Sequence, residues 1–347
     1  MSTKAPLAPA PYLRLRSVLR RIIPVGIRHS RVLSGLRKRI GRPRSMFNLV
    51  AVPCVLCGSK SFSPITPNRT APVVRCGYCG FLYVNRQPSE SDVRSYYELE
   101  TQEGYTRNIR QWQREQNARM EKVWIEDMEC LSPWLPPQAK TKGFRFLDAG
   151  CATGFQLVSA TERGWDAWGI ELSEPIALEL RTTSGLQVIN GTIEDGLRAL
   201  GADNFSLVLM SHVLEHMPKP RSAVEAAYRL LKPGGLIAIY VPNGEGLQAR
   251  HDFEGWEWSG FPDHLWFFSS MALRRLLVEC GFQVEGMWTC VGHSDAGKLY
   301  DLVKEQLHLD NYEQAGAVAE VLGPMGLLSD LRIVARKPIK PMDQTGG

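Results

Sequence analysis

A glycine-rich segment between a short apolar strand and a helix constrains this chain more than any other feature. Residues 144–148 predict a buried strand, which runs into the pattern Asp148-x-Gly150-x-x-x-Gly154. Such a turn lets a ligand approach the backbone closely and directs the first N–H groups of the helix towards it. A dinucleotide fingerprint has the spacing GxGxxG, so this spacing indicates a different class of cofactor.

An acidic residue stands at the end of the next predicted strand. Glu171 follows Gly154 by seventeen residues and closes the segment Trp168-Gly169-Ile170-Glu171. A carboxylate at this place can accept hydrogen bonds from both hydroxyls of a ribose, which also excludes a 2′-phosphate. The turn and the acid together predict a site for a ribose-containing ligand.

Strands and helices alternate along the rest of the chain, without an internal repeat. Apolar runs predict seven strands, at residues 144–148, 166–171, 186–190, 205–210, 235–241, 282–290 and 330–336. Amphipathic helices fill most of the intervals, which is typical of a doubly wound α/β fold. An insertion at roughly residues 291–329 is also predicted to be helical.

Four of the eight cysteines form two close pairs. The pairs are Cys54-x-x-Cys57 and Cys76-x-x-Cys79, with eighteen residues between them. This spacing is within the range of four-thiolate zinc sites, and without a secretory signal it favours metal over disulfides. Four thiolates complete a tetrahedron, so we expect a structural Zn²⁺ with no open position for catalysis. The expected compartment is reducing and cytoplasmic.

The predicted domains follow from these features and from the charge distribution. They are a basic amphipathic segment (1–46), a zinc ribbon (47–90), a helical linker or lid (91–137) and the α/β domain (138–340). Residues 1–89 hold sixteen of the 41 basic residues and none of the 36 acidic ones. No apolar run is long enough to span a bilayer. The basic segment is expected to touch the inner face of a membrane peripherally, and the alternatives are a transit peptide, nucleic-acid contact or a poorly ordered tail.

From residue 54 to residue 337 the chain resembles class I S-adenosylmethionine-dependent methyltransferases. The first motif is 147–154, in which Ala152 stands where the family usually has a glycine. The later motifs, in the family's order, are 191–195, 211–216, 231–235 and 263–269. The arrangement of a ribbon followed by Tyr96 and Tyr97 resembles that of a bacterial subgroup of these enzymes, which is associated with the modification of sugars, surface glycans and secondary metabolites. The resemblance implies a Rossmann-like seven-stranded sheet with an antiparallel last strand, preceded by a small zinc ribbon and a helical segment.

The resemblance also implies S-adenosylmethionine as the cofactor. The residues that it assigns to cofactor binding are Asp148, Gly150, Gly154, Glu171, Thr192, Ile193 and Ser211. Asp148 would orient the methionine amino group, and Glu171 would bind the ribose. Thr192 and Ile193 would flank the adenine through backbone amides and an apolar contact.

Two histidines are candidate bases for a transfer that needs an aligned nucleophile and often a proton acceptor. His212 directly follows the fourth predicted strand, and His264 lies in an aromatic loop after the fifth. Histidine suits this task because its ordinary pKa is near neutrality. The alternative for His212 and His216 is a structural role, in which they hydrogen-bond the backbone and shape the pocket. On a helix, residues three or four apart share a face, so His212 could also meet Glu215 or His216 and bind a metal with it. A third acidic ligand is not evident, however.

Aromatic residues near His264 admit two interpretations. Trp256, Trp258, Trp266 and Phe267 either stack on a sugar or planar acceptor or pack on the protein core.

The sequence therefore favours a methyltransferase that acts on a small-molecule, sugar or glycan acceptor, by O-methylation rather than C-methylation. An RNA-binding or RNA-modifying enzyme that uses the basic N-terminus and the ribbon is the main alternative. The acidic catalytic half and the absence of an Asn/Asp-Pro-Pro-Tyr motif argue against nucleic acid. A catalytically inactive scaffold is the third alternative, and the intact cofactor motifs argue against it.

Overall fold

The computed structural model describes most of the chain. The described residues are 47–67, 69–102, 127–140, 143–256, 258–259, 261, 263–291 and 296–339. The predictions for residues 1–46 lie outside them. No helix in these ranges is both long and apolar enough to cross a membrane.

Five short strands and one helix come first in the described chain. They are β1 (Val50–Ala51), β2 (Phe62–Pro64), β3 (Val73–Cys76), β4 (Leu82–Val84), β5 (Arg86–Gln87) and α1 (Glu90–Gln102). Strands β2, β3 and β4 pair antiparallel, with Phe62 opposite Cys76 and Val74 opposite Tyr83. Strand β1 pairs antiparallel with β5.

The elements that follow alternate as predicted. They are β6 (Arg145–Ala149), α2 (Phe155–Glu162), β7 (Asp166–Glu171), α3 (Glu174–Thr183), β8 (Gln187–Asn190), α4 (Ile193–Leu200), β9 (Phe205–Ser211), α5 (Pro220–Leu230), β10 (Leu231–Pro242), α6 (Leu247–His251), β11 (Trp266–Phe267), α7 (Ser270–Glu279), β12 (Gln283–Cys290), α8 (Ala296–Gln306), α9 (Tyr312–Leu322) and β13 (Asp330–Arg336). Helices α8 and α9 confirm the helical insertion.

Seven strands form one mixed, Rossmann-like sheet in the order β12-β13-β10-β9-β6-β7-β8, and its last strand is antiparallel. Strand β6 pairs parallel with β7 on one side and with β9 on the other. The chain thus winds away from β6 in both directions, which places a crevice at the carboxyl ends of β6 and β9. The seven predicted strands are confirmed.

Strand β10 begins earlier than predicted, at residue 231 rather than 235. The Gly234 N–H donates to the Lys337 carbonyl at 2.8 Å, and the Lys337 N–H donates to the Gly235 carbonyl at 2.9 Å. These bonds pair the Pro-Gly-Gly segment with Lys337, although Gly234 has a φ of 80° and the composition alone predicts a turn.

Backbone contacts divide the chain into two compact units. One, here called the cysteine unit, comprises Met1–Ser89, Tyr240–Leu273 and Gly286–Ile333. The other, here called the turn unit, comprises Glu90–Ile239, Arg274–Glu285 and Val334–Gly347. The predicted domain boundaries stay predictions.

Each unit has its own apolar core. In the turn unit, Phe146 and Leu147 of β6 and Leu207 of β9 are fully buried. In the cysteine unit, one cluster of buried residues comprises Ala71, Val73, Leu82, Val84, Ala249, Trp256 and Phe267. Strand β11 joins this unit's antiparallel sheet by pairing with β4. The sequence motif around His264 is thus partly a strand, which was not predicted.

Candidate cofactor and metal sites

The glycine-rich turn between β6 and α2 is tight because three of its residues have positive φ. These are Gly150 (89°), Ala152 (45°) and Gly154 (74°). The Gly150 N–H donates to the Ile170 carbonyl at 2.8 Å, which holds the turn against the end of β7. A Cβ on Gly150 would lie 2.5 Å from Val213 Cγ2. The loops that follow β6 and β9 therefore pack on each other, and only glycine fits between them.

Asp148 lies in β6 directly before this turn and is 2% exposed. Its Oδ2 has no hydrogen-bond partner among the described residues. Burial, followed by the charge of Glu171, raises the pKa of Asp148 from 3.8 to about 7. A buried carboxyl oxygen without a partner costs free energy, which a donor or a positive group from a ligand would offset.

Glu171 ends β7 and holds its carboxylate between two backbone donors. Its Oε2 accepts the Ala152 N–H at 2.9 Å, and its Oε1 accepts the Ser173 N–H at 2.8 Å. Burial raises the pKa of Glu171, and these donors partly offset that effect. Each carboxylate oxygen can accept a further hydrogen bond. Glu171 is thus a fixed acceptor beside the turn, where the sequence predicts the ribose.

The loop between β8 and α4 carries the residues that the resemblance assigns to adenine. Thr192 caps α4: its N–H donates to Asp195 Oδ2 at 2.7 Å, and the Asp195 N–H donates to Thr192 Oγ1 at 3.3 Å. This capping box engages the Thr192 amide that the resemblance assigns to adenine. Ile193 is 1% exposed. The contact of Thr192 and Ile193 with adenine stays a prediction.

The segment after β9 does not form the helix on which the predicted spacing of His212, Glu215 and His216 depends. Strand β9 ends at Ser211, which is half-buried, and His212 follows with φ 52°. A short 3-10 helix then spans only Leu214–His216. Glu215 is buried, and its Oε1 lies 3.8 Å from His212 Nδ1 and 3.6 Å from His216 Nε2. One buried carboxylate therefore lies beside both imidazoles, which favours a role in orienting them.

The four paired cysteines come together in the cysteine unit. The Sγ atoms of Cys54, Cys57, Cys76 and Cys79 lie within 4.8 Å of one another. Burial raises the pKa of Cys76, but hydrogen bonds from the backbone N–H groups of Cys79 and Tyr78 outweigh this and lower it to about 6. Four clustered thiol sulfurs match the ligands that Zn²⁺ prefers.

His264 is buried in the cysteine unit and oriented by its own loop. Its Nδ1 lies 2.5 Å from the Trp258 carbonyl oxygen, and its ring stacks on the Trp258 ring at 5.5 Å. A carbonyl can only accept, so Nδ1 carries a proton and donates it to the Trp258 carbonyl.

The aromatic residues near His264 are packed as core. Trp256, Trp266 and Phe267 are 3–5% exposed. Trp256 and Phe267 belong to the cysteine unit's apolar cluster, and Trp258 packs against it. This supports the core interpretation over an acceptor pocket lined by these rings.

A family model described as "Methyltransferase domain" matches residues 113–286, which is half of the chain. The chain belongs to this methyltransferase family.

Curated relatives of this methyltransferase domain include O-methyltransferases of quinone synthesis. The chain is 33% identical over 114 residues to a ubiquinone biosynthesis O-methyltransferase of Pseudomonas putida, which covers 32% of this chain and 49% of that protein. It is 27% identical over 156 residues to the protein of the same name from Psychrobacter arcticus, and this match covers 40% of this chain and 59% of that protein. The chain thus spans about half the length of the curated relatives that it matches.

Solved structures that resemble this methyltransferase share its fold, at low sequence identity. One is a possible histamine N-methyltransferase of Thermotoga maritima, which is 21% identical in sequence and has a TM-score of 0.44. The match covers 67% of this chain and 98% of that chain. Another is a SAM-dependent methyltransferase of Archaeoglobus fulgidus, which is 18% identical in sequence and has a TM-score of 0.43. The match covers 62% of this chain and 94% of that chain.

Two features of the methyltransferase's site were missed by reasoning from the sequence. The capping box has a readable signal, because Thr192-x-x-Asp195 has the spacing of an N-terminal cap. Strand β11 has none, since a two-residue strand is defined by its partner strand and not by its own composition.

Proposed function

We propose that this protein transfers the methyl group of S-adenosylmethionine to an oxygen of a small-molecule, sugar or glycan acceptor. The observation that carries the proposal is the pair of buried carboxyl groups beside the glycine-rich turn. Asp148 has an unpartnered oxygen, which fits the positively charged amino group of the cofactor. Glu171 is fixed by two backbone donors, which fits the two ribose hydroxyls. The curated relatives named O-methyltransferases support oxygen as the acceptor atom.

When bound, the cofactor supplies an electrophilic methyl group, and the chain's residues supply position and proton transfer. Gly150 and Gly154 allow the turn its positive φ angles and its close packing on Val213 and Leu180, and this turn would present the N–H groups at the start of α2 to the cofactor. We propose His212 and His264 as bases: His212 lies beside the buried Glu215 carboxylate, and His264 is oriented by the Trp258 carbonyl. A base matched to neutral pH would take the proton of an acceptor hydroxyl.

We also propose a structural Zn²⁺ held by Cys54, Cys57, Cys76 and Cys79. Four clustered sulfurs leave no ligand position for a substrate, so the ion would act on folding and not on chemistry. Metal analysis of gently purified protein should return one zinc per chain, and a clearly lower content would contradict the proposal.

Calorimetric titration with S-adenosylmethionine tests the cofactor site. Asp148→Ala and Glu171→Ala should each weaken binding roughly tenfold to a hundredfold, because a charge-assisted hydrogen bond contributes about 1.5–3 kcal/mol. Asp203→Asn is the matched control, since Asp203 lies in the same unit with its side chain 58% exposed. Wild-type affinity in both site variants would refute the placement of the pocket. Binding of a nicotinamide cofactor instead would overturn the class.

Transfer from a cofactor labelled with carbon-13 in its methyl group tests the acceptor. A panel of phenols, sugars and glycans should yield a labelled O-methyl product, which the carbon chemical shift distinguishes from a C-methyl product. Label found only in RNA would instead favour the nucleic-acid alternative. The peripheral membrane contact of residues 1–46 stays a prediction.

A further inference from the structure

We propose that a metal ion on the four cysteines holds in place the loop that carries His264, so that metal loss loosens this loop while the cofactor site stays intact. The coupling runs entirely through residues of the cysteine unit. Its consequence for catalysis rests on the proposed role of His264 as a base.

The first step leads from the cysteines to β4. The Cys76 N–H donates to the Phe81 carbonyl at 2.9 Å, and the Gly80 N–H donates to the Cys76 carbonyl at 3.0 Å. The Phe81 N–H also donates to the sulfur of Cys79. The turn that presents two of the sulfurs therefore fixes the residue that leads directly into β4.

The second step leads from β4 to the His264 loop. Tyr83 pairs with Trp266, and Leu82 pairs with Phe267, in an antiparallel register. The Val84 N–H donates to the Leu265 carbonyl at 2.9 Å. Leu265 directly follows His264, so β4 anchors the backbone one residue away from this histidine.

Side chains reinforce the same connection. The Trp266 ring stacks on the rings of Phe81 and Tyr83, with centroids 6.2 and 6.0 Å apart, and the Phe81 ring packs against Phe268 at 5.4 Å. These rings thus pack Phe81 and Tyr83 against the residues that follow His264.

The pairing of β4 with β11 is short, so it relies on the contacts around it. Strand β4 has three residues and β11 has two, and such short pairings are marginal without further support. A structural zinc site contributes its binding free energy to folding. The downstream end of the loop has a separate anchor, because the Gly244 N–H donates to the Phe268 carbonyl at 2.8 Å, so the effect should centre on residues 264–266.

Hydrogen-exchange mass spectrometry on the full chain tests the coupling. Zinc-loaded protein and protein treated with a chelator would be compared, with calorimetric titration of S-adenosylmethionine on the same samples. Backbone amides of residues 263–268 should exchange roughly tenfold faster or more without zinc. Residues 205–211 of β9 should be unchanged, and added zinc should restore the protection.

Two variants serve as controls. Cys76→Ser should reproduce the metal-free exchange pattern, whereas Cys280→Ser, outside the cluster, should exchange like the wild type. Unchanged protection of residues 263–268 without zinc would overturn the proposal. Equal acceleration in β9 would overturn it too, because the metal would then support the whole chain and not this loop. Failure of zinc-loaded protein to bind the cofactor would refute the proposed function and leave the coupling untouched.

Discussion

Replacing Asp148 by asparagine separates the cost of burying a carboxyl group from its use in binding. In the folded protein, burial and the nearby Glu171 raise the pKa of Asp148 from 3.8 to about 7. Its contribution to stability is therefore fully present below pH 3.8 and is lost as the pH rises through 7. Above pH 7 the total loss is about 4 kcal/mol.

Asparagine has no charge to bury, so Asp148→Asn should escape this loss. From pH 5 to pH 8, the difference in unfolding free energy between the variant and the wild type should grow by about 2–3 kcal/mol in favour of the variant. In cofactor-free protein this corresponds to a melting-temperature difference that grows by roughly 5 °C across the same range. Differential scanning calorimetry at several pH values measures it. Glu162→Gln is the control, because Glu162 is an exposed residue at the end of α2.

The cofactor should respond in the opposite direction. The ionised carboxylate attracts the positively charged amino group, so wild-type affinity for S-adenosylmethionine should rise roughly tenfold from pH 6 to pH 7.5, following the ionised fraction of Asp148. Asp148→Asn should bind weakly with little dependence on pH in this range. A melting-temperature difference that does not grow with pH would refute the argument that Asp148 carries an uncompensated charge.

Three further predictions concern the carboxyl edge of the sheet and the His264 loop. Ala152→Gly removes a Cβ at φ 45°, so thermal denaturation should show a stabilisation of about 0.5–1 kcal/mol with unchanged cofactor affinity. Gly150→Ala places a Cβ 2.5 Å from Val213; it should destabilise by roughly 2 kcal/mol in the same assay, and adding Val213→Ala should restore part of the loss. His212→Ala and His264→Ala should each lower turnover roughly 100- to 10,000-fold while calorimetry shows unchanged cofactor affinity. Near-normal turnover of both across pH would assign the base to another group.

Features defined by local sequence could be predicted, often to the residue. Strands β7 and β13 have the predicted bounds, because each is an apolar run that ends at a polar or charged residue. The clustering of Cys54 with Cys79 likewise follows from the spacing of the two pairs. In each case the information lies within a short stretch of chain.

Features that depend on distant partners could not be predicted. Strand β11 exists because β4, far away in sequence, supplies its hydrogen bonds, and the same pairing buries Trp266. The helical spacing of His212 and Glu215 was misleading because His212 adopts a left-handed backbone conformation, which is uncommon for a residue other than glycine. The two side chains nevertheless lie close together, since the turn brings them as near as a helix would.

Departures from local rules gather at the edge of the sheet where the sequence predicts the cofactor. Among the described residues that are not glycine, Ala152 and His212 are two of the four with positive φ, and they follow the adjacent strands β6 and β9. Asp148, with its unpartnered oxygen, is the penultimate residue of the first of these strands. Strained backbone and unpaired polar groups lower stability and persist where function needs them. A ligand that partners Asp148 would return part of this free energy on binding. The gathering of these local costs at one edge of the sheet is thus a physical argument that this edge is built for a ligand.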